Sequence, residues 1–210
     1  SLNTVRGGEG AFGLSALPDR EDEARAAIRQ AIGYGSQIGV RNVHVMAGFA
    51  EGADARTAFI DNLHYACDAA VEHGITILIE PLNRYDAPGY FLKTSTQAKA
   101  IIEDAGRADL ILMFDCYHLQ IMEGDITRRL TDLLPIIGHI QIASVPDRNE
   151  PDGGELSYSH IYRHLHKLGY DAPLGAEYKP VTTTDAGLGW LSAARRDEGV
   201  TEASSRTKSR

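Results

Sequence analysis

Cysteine is scarce in this chain, with only Cys67 and Cys116. Cys67 sits among alanines on an expected helix and Cys116 in an expected strand. Both read as small buried hydrophobes in a reducing compartment rather than as a disulfide or a reactive thiol, so cytoplasm is the expected location. Long apolar runs are missing as well. None reaches the ~18 residues of a membrane span, and no stretch has the charged-then-apolar form of a signal peptide. Positive charge is in deficit. A net charge of -8 and a pI near 5.4 argue against the basic face of a general nucleic-acid binder. The glycine-rich opening SLNTVRGGEGAFG (1–13) carries no GKS or GKT, and no GxGxxG follows a strand. A flexible loop beside an active site is the better expectation for it. His160, His164 and His166 lack the HExxH spacing of a zinc helix and read as a wet helical face.

What is present suits one globular core: 210 residues, 43% hydrophobic and 24% charged. Helical periodicity marks residues 19–38, with Asp19 as cap, Asp22 and Glu23 in the first turn, and a face of Ala24, Ala27, Ile28, Ala31, Ile32 and Ile38. A strand over 42–48 sets His44 and Met46 on one face and Val43 and Val45 on the other. A second helix spans 54–73, carries Phe59, Leu63, Ala66, Cys67 and Ala70, and stops at Gly74. The strand ITILIEPLN (75–83) ends where Pro81 cannot donate to a ladder, and the loop 83–92 then supplies a pocket wall. A helix over 95–107, capped by Ser95, precedes a strand over 110–118. The helix ITRRLTDLLPIIG is interrupted at Pro135 and leads to a strand over 139–144. The polar loop SVPDRNEPDGGELSYS, a helix over 160–169 and a strand over 173–180 complete the pattern. A short helix with Trp190 packed down follows, then a polar tail over 197–210 with no apolar face, expected to be disordered.

Strands alternating with helices, without a linker, predict a single α/β domain over 1–196 with a parallel sheet that curves toward a barrel. Five clear strands are visible, plus a stub at residues 1–4 in which Leu2 ends a strand that begins earlier.

Four of the strands end in oxygen-bearing side chains: Glu80, Asp115, Gln141 and Glu177. Their spacings of 26 to 36 residues fit one βα unit per step, which would bring all four to the carboxyl edge of the sheet. Clustered buried carboxylates repel and need a cation or shared protons. Oxygen ligands suit hard divalent ions, Mg²⁺ or Mn²⁺.

The runs ILIEPLN, FDCYH, HIQIASVPDRNEPDGGELSY, GAEYKP and GLGW resemble those of hydroxypyruvate isomerases, within the xylose-isomerase-like TIM barrels. The resemblance covers roughly residues 5–192 and is most specific from His139 to Tyr158. It implies a (β/α)8-type barrel lacking its first two to three βα units, partial or open in this chain. It implies that Glu80, Asp115, Gln141 and Glu177 hold the metal and that Glu80 and Glu177 are the catalytic acid/base pair. It also matches His118 and Arg148 to substrate-binding positions. Lys179 is an alternative to Arg148 for the substrate carboxylate, and His44 and Asn83 are further pocket candidates.

The expected reaction converts a small 2-keto-3-hydroxy acid, hydroxypyruvate, to tartronate semialdehyde by proton transfer through a metal-stabilised enediolate. The expected partner is that small hydroxy-keto acid, with no nucleic acid and no membrane, and a homo-oligomer is compatible. Rival readings are a 2-oxo-tetronate isomerase, a ketose 3-epimerase, a truncated barrel that only binds sugar acids, and a metal-dependent endonuclease.

Overall fold

A computed structural model describes residues 1–192 and 194. The expected tail over 197–210 lies outside them. Six parallel strands form one sheet in sequence order: β1 (Leu2–Asn3), β2 (Asn42–His44), β3 (Thr76–Ile79), β4 (Leu110–Asp115), β5 (Ile137–Ile142) and β6 (Leu174–Ala176). Each crossover carries helix: α1 (Glu21–Ile38), α2 (Gly52–Ala70), α3 (Ser95–Ala105), α4 (Cys116–Met122) with α5 (Ile126–Leu133), and α6 (Tyr158–Leu168); α7 (Thr184–Gly187) follows β6. This is a partial α/β barrel. The stub at residues 1–4 is a true strand, with Leu2 opposite Val43 and Asn3 opposite His44.

The pleat sorts each strand into two faces. Val43, Val45, Ile77, Ile79, Leu112, Phe114, Ile140 and Ile142 join the core under the helices, together with Ile28, Phe59 and Leu63. The alternate positions, His44, Met46, Leu78, Glu80, Met113, Asp115 and Gln141, are buried but stand outside that core, on the sheet's other face. Every strand-borne site candidate has this second parity. Burying one large apolar side chain contributes about 1.5–3 kcal/mol, so the helix-facing layer holds the sheet in place while the opposite face carries polar groups.

Several local expectations need correction. Asp19 does not cap α1: it lies at φ 63, and Arg20 takes the N-cap position without a side-chain bond. Three acids, Glu21, Asp22 and Glu23, stabilise the first turn instead. Ile38, expected on the buried face, is exposed, because Gly39 ends the helix there in the left-handed region. The cap of α3 is Thr94, whose Oγ1 accepts from Gln97 N at 3.1 Å, one residue before Ser95. The strand expected to run to His118 stops at Asp115. That side chain caps α4 by accepting from Tyr117 N at 2.8 Å, which puts Cys116 and His118 on a helix. Cys67 and Cys116 are both free and buried, as expected. Among the described residues no helix is long and apolar enough to cross a membrane.

Candidate active site

Glu80 follows the last residue of β3, and Asp115 ends β4. Gln141 stands opposite Asp115 in the β4–β5 register. All three are at least nine-tenths buried, at 5%, 1% and 9% exposure. Each keeps a buried oxygen with no hydrogen-bond partner among the described residues: Glu80 Oε1, Asp115 Oδ2 and Gln141 Oε1. Leaving one such group unpaired costs about 1–3 kcal/mol, more when it is charged. Three in one small region describe a binding site rather than a packing accident. Asp115 is the most informative, because its Oδ1 is spent on the α4 cap and its Oδ2 alone is left free.

The electrostatics agree. Burial, then the neighbouring Asp115 and Glu177 charges, hold Glu80 well above the ordinary carboxylate range. Burial pushes Asp115 up to about 7, although Arg148 and the Tyr117 amide oppose the shift. Such carboxylates accept a proton unless a cation replaces it.

One atom each of Glu80, Asp115 and His118 lies within 4.8 Å of the others. The ring of His118 has a defined tautomer. Its Nδ1 accepts the backbone N–H of Asn83 at 3.1 Å and lies 2.8 Å from Asn83 Nδ2. Asn83 Oδ1 is itself engaged by the amides of Tyr85 and Asp86, which fixes the side-chain amide. An acceptor Nδ1 leaves the proton on Nε2, and burial keeps the ring neutral, down to about 3. That Nε2–H lies 3.7 Å from Asp115 Oδ2. His118 therefore presents a donor, not a metal-binding lone pair. Glu80, Asp115 and Gln141 offer an all-oxygen set that could hold an ion, the donor type that Mg²⁺ and Mn²⁺ prefer.

A cavity of about 60 Å³ opens beside this group, lined among others by His44, Glu80, His118, Arg148 and Glu177. His44 is neutral, pushed to about 3 by burial, with Nδ1 3.6 Å from Glu80 Oε2 and neither ring nitrogen hydrogen-bonded. Glu177 differs from the buried three. Its side chain is half exposed, and Arg148 Nη2 holds it at 3.0 Å. Arg148 also reaches Asp86 at 3.1 Å and Asp115 at 3.7 Å, and lies over the Tyr117 ring at 4.9 Å. Its backbone sits at φ 57, a costly conformation for a side-chain-bearing residue. The Arg148 N to Ser144 O bond at 3.0 Å and the Lys179 N to Arg148 O bond at 2.7 Å hold it there.

Two pocket candidates are not where the sequence expectation put them. Lys179 is exposed and outside the cavity wall. Strand β6 has ended at Ala176, so the strand alternation no longer aims residue 179 inward. Asn83 is fully buried and holds His118 instead of lining the cavity. Asp86, Arg6 and Tyr117 were not singled out as site residues. Asp86 had a legible signal, the Asn83 turn that folds the 83–92 loop back.

Comparison with known proteins fits this geometry. Residues 1–194 match the family described as "Xylose isomerase-like TIM barrel". The chain belongs to that family. It is 47% identical over 186 residues to a 2-oxo-tetronate isomerase of Cupriavidus necator, covering 87% of this chain and 72% of the relative. It is 37% identical over 191 residues to the hydroxypyruvate isomerase of Escherichia coli, covering 89% and 74%. A crystal structure titled AP endonuclease, family 2, from Brucella melitensis superposes with a TM-score of 0.88 at 38% identity, over 91% of this chain and 76% of that one. Both named relatives are isomerases, and the chain is an enzyme of that class.

Proposed function

We propose that this chain isomerises a small 2-keto-3-hydroxy acid, hydroxypyruvate to tartronate semialdehyde. The observation that carries the reading is the set of three unpartnered buried oxygens beside a cavity that also holds Glu177. Glu80, Asp115 and Gln141 would hold a divalent ion, with Glu177 closing the set from the outer side. Such an ion supplies positive charge for the carbonyl and hydroxyl oxygens of the substrate.

The chain's own groups do the rest. One of the two glutamates, Glu80 or Glu177, removes a proton from C3, and its counterpart delivers one to C2. The hydroxyl proton on C3 passes to the oxygen on C2, so atoms balance and no redox partner is needed. His118 Nε2–H donates to the oxygen on which charge develops, in a site where burial strengthens such a bond. Arg148 orients Glu177 through the 3.0 Å ion pair. Neutral His44 offers a further ring nitrogen toward the substrate.

The 47% identity to a 2-oxo-tetronate isomerase favours a second reading, the same chemistry on a four-carbon acid. Proton NMR of hydroxypyruvate and of a 2-oxo-tetronate in D2O with Mn²⁺ tests both. The expected result is deuterium at C2 of the product, an aldehyde from hydroxypyruvate or a 3-oxo acid from the tetronate, with EDTA suppressing its formation. Unchanged rates in EDTA would remove the ion from the reaction, and an epimer of the tetronate with its carbonyl still at C2 would identify an epimerase.

A further inference from the structure

The acid substrates of this reading carry a carboxylate, and the cavity wall is rich in carboxylates of its own: Glu80, Asp86 and Glu177. A substrate anion entering there needs a cation that is not already matched. Arg148 does not meet that need. Its guanidinium already faces Asp86, Glu177 and Asp115 at 3.1, 3.0 and 3.7 Å, and one face is covered by Tyr117.

Arg6 also lines the cavity, and among the described residues it makes no ion pair. Its guanidinium rests over the ring of Phe12, 4.6 Å from the centroid, and Phe12 in turn packs against Phe49 at 5.4 Å. The segment that carries it is anchored at both ends. Thr4 N donates to His44 O at 2.9 Å, and Thr4 Oγ1 accepts from Met46 N at 3.0 Å, which fixes the chain two residues earlier. Gly13 N donates to Arg6 O at 2.9 Å and closes the loop. Gly13 lies at φ +113 against the backbone of Met46, where a side chain has no room. The glycine-rich opening thus launches a charged side chain from a fixed point at the cavity mouth.

We propose that Arg6 is the residue that binds the substrate's carboxylate, and that it selects acids over neutral hydroxyketones. This rests on the keto-acid reading above. Bidentate guanidinium–carboxylate pairing gives both affinity and orientation, and Phe12 holds the guanidinium plane.

The test compares Arg6→Gln and Arg6→Lys in the full chain with Mn²⁺. Glycerate, an acid that lacks the carbonyl and cannot isomerise, is titrated by calorimetry, and KM is measured for hydroxypyruvate. Arg6→Gln should weaken glycerate binding and raise KM about ten- to a hundred-fold. Arg6→Lys should recover part of the loss, while Mn²⁺ affinity and melting temperature stay at the parent values. Unchanged glycerate affinity in Arg6→Gln, or parent protein that binds no glycerate, overturns the assignment. So does a parallel loss of Mn²⁺ affinity or melting temperature, which would make Arg6 a structural residue. If the parent binds glycerate through Arg6 yet forms no aldehyde from hydroxypyruvate, the isomerase reading fails and the carboxylate site stands.

Discussion

The ends of β3, β4 and β5 differ from the end of β6. Glu80, Asp115 and Gln141 are buried, and each retains an oxygen with no hydrogen-bond partner among the described residues. Glu177 is half exposed, and its carboxylate is paired with Arg148. The first three form a buried group whose unpartnered oxygens would hold the proposed cation. The fourth depends on one ion pair from the β5–α6 loop. Ion retention and folding should therefore depend on the buried three, whereas turnover should respond most cleanly to the exposed one.

Glu177→Gln is the sharpest way to break this contrast. Loss of an acid/base group should lower turnover about 10²–10⁴-fold, and abolished exchange at C3 would make Glu177, rather than Glu80, the base at that carbon. As a half-exposed position it should shift stability by no more than about 0.5 kcal/mol. Normal turnover in this variant would remove Glu177 from the chemistry, and a large loss of stability would erase the distinction between the two regions.

Asp115→Asn probes the buried side. Burial holds Asp115 at about 7 in the folded state, well above the ordinary carboxylate range, so protonation favours the folded state. The sign follows: this contribution is fully present below pH ~4 and is lost as pH rises through about 7. Without a divalent ion, the parent should lose on the order of 2–4 kcal/mol across that window, and Mn²⁺ should flatten the slope. The Asn variant can still accept from Tyr117 N at the α4 cap. It should show a shallower slope without metal and weaker Mn²⁺ binding. Identical slopes in chemical denaturation at pH 5 and pH 8 would refute the electrostatic account.

The smallest expected effect is at Asn83. Replacing it with Ala removes the amide that braces His118 and the Asx turn to Tyr85 and Asp86, at a cost of about 1–2 kcal/mol. The backbone N–H to His118 Nδ1 remains, so the tautomer should survive. Nitrogen-15 NMR of the imidazole should still report a protonated Nε2. A proton on Nδ1 would withdraw the donor role given to His118.

Much of this was legible from local pattern. Oxygen side chains at the ends of apolar runs marked Glu80, Asp115, Gln141 and Glu177, because a pleat alternates and a strand end borders a cavity. The capping role of Asp115 was less visible. A strand-to-helix switch inside FDCYH is hidden when every residue is buried, because then neither period stands out. Lys179, offered as an alternative to Arg148 for the substrate carboxylate, lies beyond the end of β6 and outside the cavity wall.

The sequence alone determined which strands alternate with helices and which strand ends carry oxygen-bearing side chains, because pleat and helical period are local properties of the chain. Only the tertiary structure decided that Arg148 is already matched by three carboxylates while Arg6 is not. It also decided that His118 is a donor rather than a ligand. Pairing of charges and the choice of tautomer depend on groups far apart in the chain, and packing alone brings them within bonding distance.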